Sequence, residues 1–167
     1  MIWNVLIRLA LSAWLIYIAI IDWRTLEVPN WATVPPLLLA TLWRVLFGGW
    51  PIGLALALVL AGAQWPWALA PALGGLGLCL GLAVPMGLDV TVGVWILCFI
   101  LWQLGVIGGA DAKAVMTLSA LFPDERLAWL LLLMWLAGGV IHRLLKHKYH
   151  PALPAVALAG LGYLWLF

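Results

Sequence analysis

Apolar residues run in long unbroken stretches along this chain. Each stretch stops at a short cluster rich in Gly, Pro or charge: DWRTLEVPN at 22–30, FGGWP at 47–51, AQWPW at 63–67, VPMGLD at 84–89, GGADAK at 108–113, FPDER at 122–126 and HRLLKHKYHP at 142–151. Continuous apolar runs, without period-two alternation, predict helices and argue against a closed barrel. Because a bilayer crossing takes about 20 apolar residues, the breaks predict spans over 5–21, 31–47, 90–107, 127–141 and 151–167, with a further helix opening at GGADAK. Residues 51–88 hold either two short spans or one span and a re-entrant or interfacial piece. The first run is long for a signal-peptide core and no small-residue cleavage site follows it, so it reads as a retained span. The fold class predicted is all-α: a polytopic transmembrane helical bundle of about six to eight spans, with residues 1–167 forming a single integral membrane domain.

Composition sharpens this picture. The chain is 67% hydrophobic and 8% charged, with a mean hydropathy of +1.17, so the solvent it suits is lipid. Several of its tryptophans lie near the ends of apolar runs, and Trp3, Trp23, Trp31, Trp50, Trp95, Trp129 and Trp165 fit interfacial anchors. A formal charge of +2, scattered along the chain, sets nucleic-acid binding aside. Cys79 and Cys98 both sit in apolar runs without metal-ligand spacing, which predicts buried free thiols and no metal or other cofactor.

Lys and Arg orient the bundle. The richest loop carries Arg143, Lys146 and Lys148 and is expected to face the cytoplasm, with His142, His147 and His150 solvated in it. Counting back two spans brings Asp111 and Lys113 to the cytoplasmic end. If 31–107 holds four spans, Asp22 and Arg24 fall at that same surface; an odd number would separate them.

Ionisable residues at membrane depth cost on the order of 2.5–3.5 kcal/mol each by insertion scales, so the acids mark candidate chemistry. Asp124 and Glu125 beside Pro123 and Arg126 read as a polar turn, Glu27 as part of a solvated loop, and Asp89 as a helix cap. Asp22, ending a helix, and Asp111, opening one after two glycines, differ: both sit at the membrane edge. Two facing carboxylates share one proton, leaving one as acid and the other as base, which activates water against a peptide carbonyl. Gly108 and Gly109 leave the backbone bare for an extended peptide. Structural ion pairs with Arg24 and Lys113, or a proton or cation relay, account for the same acids. Arg8 is expected to snorkel, and Gln64 and Gln103 to hydrogen-bond between helices. Pro35 and Pro36 either kink the second span or mark its first turn.

IDWRTLEVPN resembles the Asp-x-Arg…Pro-Asn signature that follows the first span in the type IV prepilin peptidase and preflagellin peptidase family, and GGADAK resembles that family's Gly-x-Gly-Asp-x-Lys motif. Asp22, Arg24, Pro29, Asn30, Gly108, Asp111 and Lys113 match by position, and Ala110 stands where glycine is usual. The resemblance implies an aspartyl endopeptidase without metal or cofactor. Asp22 and Asp111 would be catalytic, and Arg24, Pro29, Asn30, Gly108, Gly109, Ala110 and Lys113 would support them or bind substrate. The implied substrate is a pilin-like or archaellin-like precursor, whose short basic leader is cut at the cytoplasmic face of the cell membrane; membrane lipid is the other implied partner. Methylating members of the family carry an N-terminal segment with paired cysteine motifs. This sequence shows none, which predicts peptidase activity without methyltransferase. The long interval between the two aspartates predicts an added span or hairpin within 51–88.

Helix dipoles extend the reading. Asp111 opens a helix near Lys113 while Asp22 closes one, so Asp111 is expected as the ionised base and Asp22 as the holder of the shared proton. The competing function is a small proton- or cation-coupled transporter using the same acids as a relay, and a third reading is a structural membrane subunit. A presenilin-like protease fits less well, since Ile21 and not tyrosine precedes Asp22.

Overall fold

The computed structural model describes residues 2–47, 49–86, 89–145 and 152–167. Among these residues are eight α-helices: α1 (Ile2–Thr25), α2 (Asn30–Leu46), α3 (Trp50–Gln64), α4 (Leu69–Ala83), α5 (Asp89–Gln103), α6 (Gly109–Leu121), α7 (Glu125–Leu145) and α8 (Leu153–Leu166). No strand occurs among the described residues, and the fold is all-α as predicted. The described part of the ambiguous stretch 51–88 holds two helices, α3 and α4. Pro51 opens α3 and Pro66 starts a 3-10 turn before α4, both at first-turn positions where the missing N–H costs nothing. Four helices therefore separate α1 from α6, which is the even count that returns Asp111 to the end of the bundle where Asp22 lies.

The core has two parts, and α6 belongs to both. On one side Ala112, Met116 and Ala120 pack with α2, α3, α4 and α5 around Leu37, Ile52, Leu76, Trp95 and Phe99. On the other, Ala114 and Leu118 pack with α1, α7 and α8 around Leu15, Ile18, Leu127 and Val156. Positions 112, 116 and 120 repeat every fourth residue, as do 114 and 118, and a two-residue offset turns the sets to opposite faces. From Met116 to Ala120 every residue of α6 is buried, with core on both sides of the helix. Outside the core, the helices present large apolar side chains outward, among them Leu39, Leu46, Leu78 and Leu133. Two stretches, Val5–Thr25 and Pro66–Met86, are long and apolar enough to cross a membrane, while Trp50–Gln64, Val90–Gln103 and Leu153–Leu166 are shorter apolar helices.

Polar side chains tie helices where backbone groups lack partners. Pro36 sits inside α2 and has no N–H for the carbonyl of Ala32, four residues back. That carbonyl instead accepts the Trp14 indole Nε1–H from α1 at 2.8 Å. Arg8 of α1, expected to snorkel, donates Nη1–H to the Leu164 carbonyl at 2.6 Å in the last turn of α8, where a cation meets the negative end of the dipole. Asp124 does sit in a polar turn. It accepts the Arg126 N–H and the Tyr163 hydroxyl, each at 2.9 Å, and these bonds hold its carboxyl below the usual carboxylate range.

Three expectations change. Trp95 is not an interfacial anchor: it is fully buried in mid-α5 and donates Nε1–H to the Met116 carbonyl and the Ser119 hydroxyl of α6, because a mid-helix indole facing another helix must find its acceptor there. Trp23, Trp31, Trp50, Trp129 and Trp165 are exposed as expected. Gln64 and Gln103 are exposed terminal residues of α3 and α5, reaching outward at the helix ends and not into a helix–helix contact. The side chains of Trp3, Asp89, His142 and Arg143, and residues Lys146, His147, Lys148 and His150, lie outside what the structure describes.

The α1–α2 tie makes a testable cycle. Trp14→Phe should lower stability by about 1–2 kcal/mol, the cost of leaving a buried carbonyl unpaired. In a Pro36→Ala background, where an N–H is restored to Ala32, the same change should cost distinctly less. Detergent unfolding curves of the four proteins check this, and equal costs in both backgrounds would exclude the compensation.

Candidate active site

The site forms where α1 ends and α6 begins. Helix α1 runs to Thr25, whose hydroxyl donates to the Ile21 carbonyl at 2.9 Å. It is then stopped by Leu26, which takes a left-handed conformation (φ 57°). In that conformation the Leu26 N–H bonds the Asp22 carbonyl at 2.9 Å, the αL type of helix C-cap, here built on a non-glycine residue. Asp22 is thus in the final turn with its side chain inward and 8% exposed. At the other element, α5 ends in a Schellman arrangement: Gly105 at φ +69°, with its N–H on the Trp102 carbonyl and the Val106 N–H on that of Leu101, both at 2.9 Å. The chain turns there, passes Gly108 and enters α6, placing Asp111 in its first turn.

Asp22, Asp111, Gly108, Gly109 and Ala110 line one open cavity of about 480 Å³, walled on the α1 side by Leu26, Glu27 and Val28. Each catalytic candidate is held by one oxygen. Asp111 Oδ2 accepts the Gly108 N–H at 3.0 Å, and Asp22 Oδ2 accepts the Leu153 N–H at 3.1 Å. In both carboxyls Oδ1 has no hydrogen-bond partner among the described residues. A Cβ on Gly108 would stand 2.9 Å from Asp111 Oδ2, so a side chain here would push the carboxyl away from its close seat on that N–H. Asp111 also borders a second cavity, about 220 Å³ and apolar, between α5, α6, α7 and α8, with Leu97, Leu101, Leu131 and Trp135 in its walls.

The ion-pair account of the acids fails on helical geometry. Asp22 and Arg24, like Asp111 and Lys113, are two residues apart, and such positions point to different sides of a helix. Lys113 accordingly turns to α2 and donates to Asn30 Oδ1 at 2.6 Å, linking the first turns of the two helices. Pro29, extended at φ −66° and ψ 146°, starts α2 and accepts the Ala32 N–H at 3.0 Å. Arg24 is exposed and lines a different groove, between α1 and α8. The motif residues thus divide into a cavity set, a brace (Asn30 and Lys113, with Pro29 at the helix start) and Arg24 apart.

Leu153 was not foreseen as part of the site. It is the first residue of α8, and its N–H gives Asp22 a helix N-terminus of its own. The contrast expected between an acid at a helix end and one at a helix start is thereby reduced: Asp22 remains in the last turn of α1 but, like Asp111, meets one backbone donor at the N-terminus of a helix. The signal available was Pro154, which marks a first helical turn; nothing local joined it to Asp22. Glu27, assigned to a solvated loop, is exposed and also borders the acid cavity.

The sequence model of the type IV leader peptidase family matches residues 9–143, a stretch that includes both aspartates and both motifs. Comparison with curated proteins and with solved structures returned no match.

Leu26 carries strain beside the site, since a left-handed backbone costs a non-glycine residue roughly 1–2 kcal/mol. Leu26→Gly should raise unfolding stability by about 0.5–1 kcal/mol, and Leu26→Val should lower it by more than about 1 kcal/mol. Thermal unfolding in detergent checks both, and a destabilised Leu26→Gly would contradict the strain.

Proposed function

Because the chain belongs to the type IV leader peptidase family, we propose that it is a multi-pass membrane aspartyl endopeptidase whose catalytic pair is Asp22 and Asp111. It removes the short basic leader of pilin-like or archaellin-like precursors at the cytoplasmic membrane face. The observation that carries this reading is the shared cavity, with one oxygen of each carboxyl held by a backbone N–H and the other left open.

The chemistry follows from that arrangement. Two like charges lining one cavity cannot both ionise cheaply, so the pair holds one proton. The ionised carboxylate takes a proton from water as its oxygen attacks the scissile carbonyl carbon, and the protonated carboxyl donates to the carbonyl oxygen. The tetrahedral intermediate, a gem-diol, then collapses: the C–N bond breaks, the leaving amine takes a proton from one carboxyl, a diol hydroxyl gives its proton to the other carboxylate as the carbonyl re-forms, and the leader departs as a carboxylic acid with the pair again holding one proton. The bonds from Gly108 and Leu153 fix the orientation of both groups through the cycle, and the Lys113–Asn30 bond keeps α6 in register with α2.

The two cavities that meet at Asp111 differ in character and suit the two flanks of such a substrate. Glu27 stands on the rim of the acid cavity, where a basic leader finds a negative partner. The apolar cavity takes a large apolar side chain beside the scissile bond. The outward-facing Leu, Ile and Trp side chains of the helices support the multi-pass reading, since a soluble surface rarely exposes so much contiguous apolar area.

Cleavage of a pilin-like precursor with a basic leader, in membranes carrying wild type, Asp22→Asn or Asp111→Asn at equal insertion, tests the proposal. Wild type should cleave, and each variant should lose on the order of 10²–10⁴-fold. Cleavage surviving either substitution would refute the catalytic pair.

A further inference from the structure

Arg24 is the motif residue that neither the acid cavity nor the Asn30–Lys113 brace uses, and its surroundings have a chemistry of their own. It stands at one end of a groove of about 490 Å³ between α1 and α8. Along α1 the groove is formed by Ile16, Ile20, Trp23 and Arg24, and along α8 by Pro154, Leu158 and Leu161. The spacings, four and then three or four residues, keep each set on one helix face. From Ile16 to Arg24 the groove follows about 12 Å of helix. Its walls are open to the outside: Ile20 is 47% exposed, Leu158 61% and Trp23 70%.

The polarity of the groove is directional. Arg24 and Pro154 lie at the bundle end that carries Asp22, because Pro154 directly follows the residue whose N–H holds that carboxylate. Ile16 and Leu161 lie deeper, two turns toward the middle of the bundle. A cation and an indole at the membrane edge above an apolar trough match the layout of one leaflet lipid: headgroup at the edge, acyl chain inward. No acid lines the groove, so its one formal charge is positive. A guanidinium suits a phosphate oxygen pair better than any neutral partner.

We propose that this groove binds one anionic phospholipid, with its phosphate on Arg24, its glycerol region against Trp23, and an acyl chain along Ile16, Ile20, Leu158 and Leu161. The lipid braces α1 against α8 next to the Asp22–Leu153 hydrogen bond. The site requires the membrane reading but not the peptidase reading, and its test reads lipid contact without any cleavage.

The full-length protein would be reconstituted in phosphatidylcholine vesicles containing a phosphatidylglycerol with a photoreactive diazirine on its acyl chain, then irradiated and mapped by peptide mass spectrometry. Labelling should concentrate on Ile16–Arg24 and Pro154–Leu161. Arg24→Gln should reduce it about fivefold, the scale expected for one basic residue at an anionic surface. Arg24→Lys should retain most of it, and Arg126→Gln, which alters an arginine at the opposite end of the bundle, should leave it unchanged. Labelling spread evenly over the outward faces of all helices, or unaltered by Arg24→Gln, would overturn the proposal. So would loss of the labelling on adding a precursor peptide, which would assign the groove to the substrate. The wild-type map is decisive on its own should a variant fail to fold.

Discussion

The seat of α6 between the two halves of the bundle is the contact on which the rest depends. This helix is only 13 residues long, roughly 20 Å, against a hydrocarbon layer of about 30 Å. It can be that short because protein surrounds it: small residues at 112, 114 and 120 let neighbouring backbones approach, and Met116 and Leu118 fill opposite sides. Its hydroxyls remain inside the bundle. Ser119 accepts from the Trp95 indole, and the Thr117 hydroxyl bonds the Lys113 carbonyl at 2.7 Å. The Thr117 bond lies within α6 and turns with it, but the Trp95 bond crosses from α5 and holds one rotation of the helix, since turning α6 would strand that indole N–H without a partner.

That rotation decides what each polar residue in its first turn can do. With Ala112 and Ala114 facing the two core halves, Asp111 is left facing the mouth of the bundle, and Lys113 is turned to α2. The same geometric rule acts at the end of α1, where Asp22 points inward and Arg24 outward. Two cations that the sequence places beside two acids are thereby kept off them. Each acid is left with a backbone donor and an open oxygen, a state in which a carboxyl is oriented without being neutralised by a salt bridge. The helix starts of α6 and α8 supply those donors, so α8 belongs to the site although its residues carry no acid or base.

Much of this was legible in the chain. The apolar runs and their Gly, Pro and charged breaks locate the helices, because burial and breaking are local properties. Asp22 and Asp111 stand out for the cost of placing charge near lipid, and the stretch matched by the family model includes both. Contacts that join distant segments were not legible. Nothing near Leu153 says that its N–H meets a carboxylate at the far end of the sequence. Leu26 has no composition that announces a left-handed backbone, since glycine or asparagine is the usual residue there. Trp95 resembles the other tryptophans in sequence, and only the packing of α5 on α6 separates it from the exposed ones. Arg24 and Lys113 lie in motifs that imply a common task, yet the helical repeat sends them to different neighbours.

The central claim is that four helices between the acids return them to one surface, facing one cavity. Side-specific labelling tests it most directly. With Cys79 and Cys98 replaced by alanine, Asp22→Cys and Asp111→Cys would be introduced singly, and sealed vesicles of known orientation treated with a membrane-impermeant thiol reagent on either side. The account predicts that both positions react from the same side, the cytoplasmic one. Reaction from opposite sides would place an odd number of crossings between the two residues and end the claim that they form a pair.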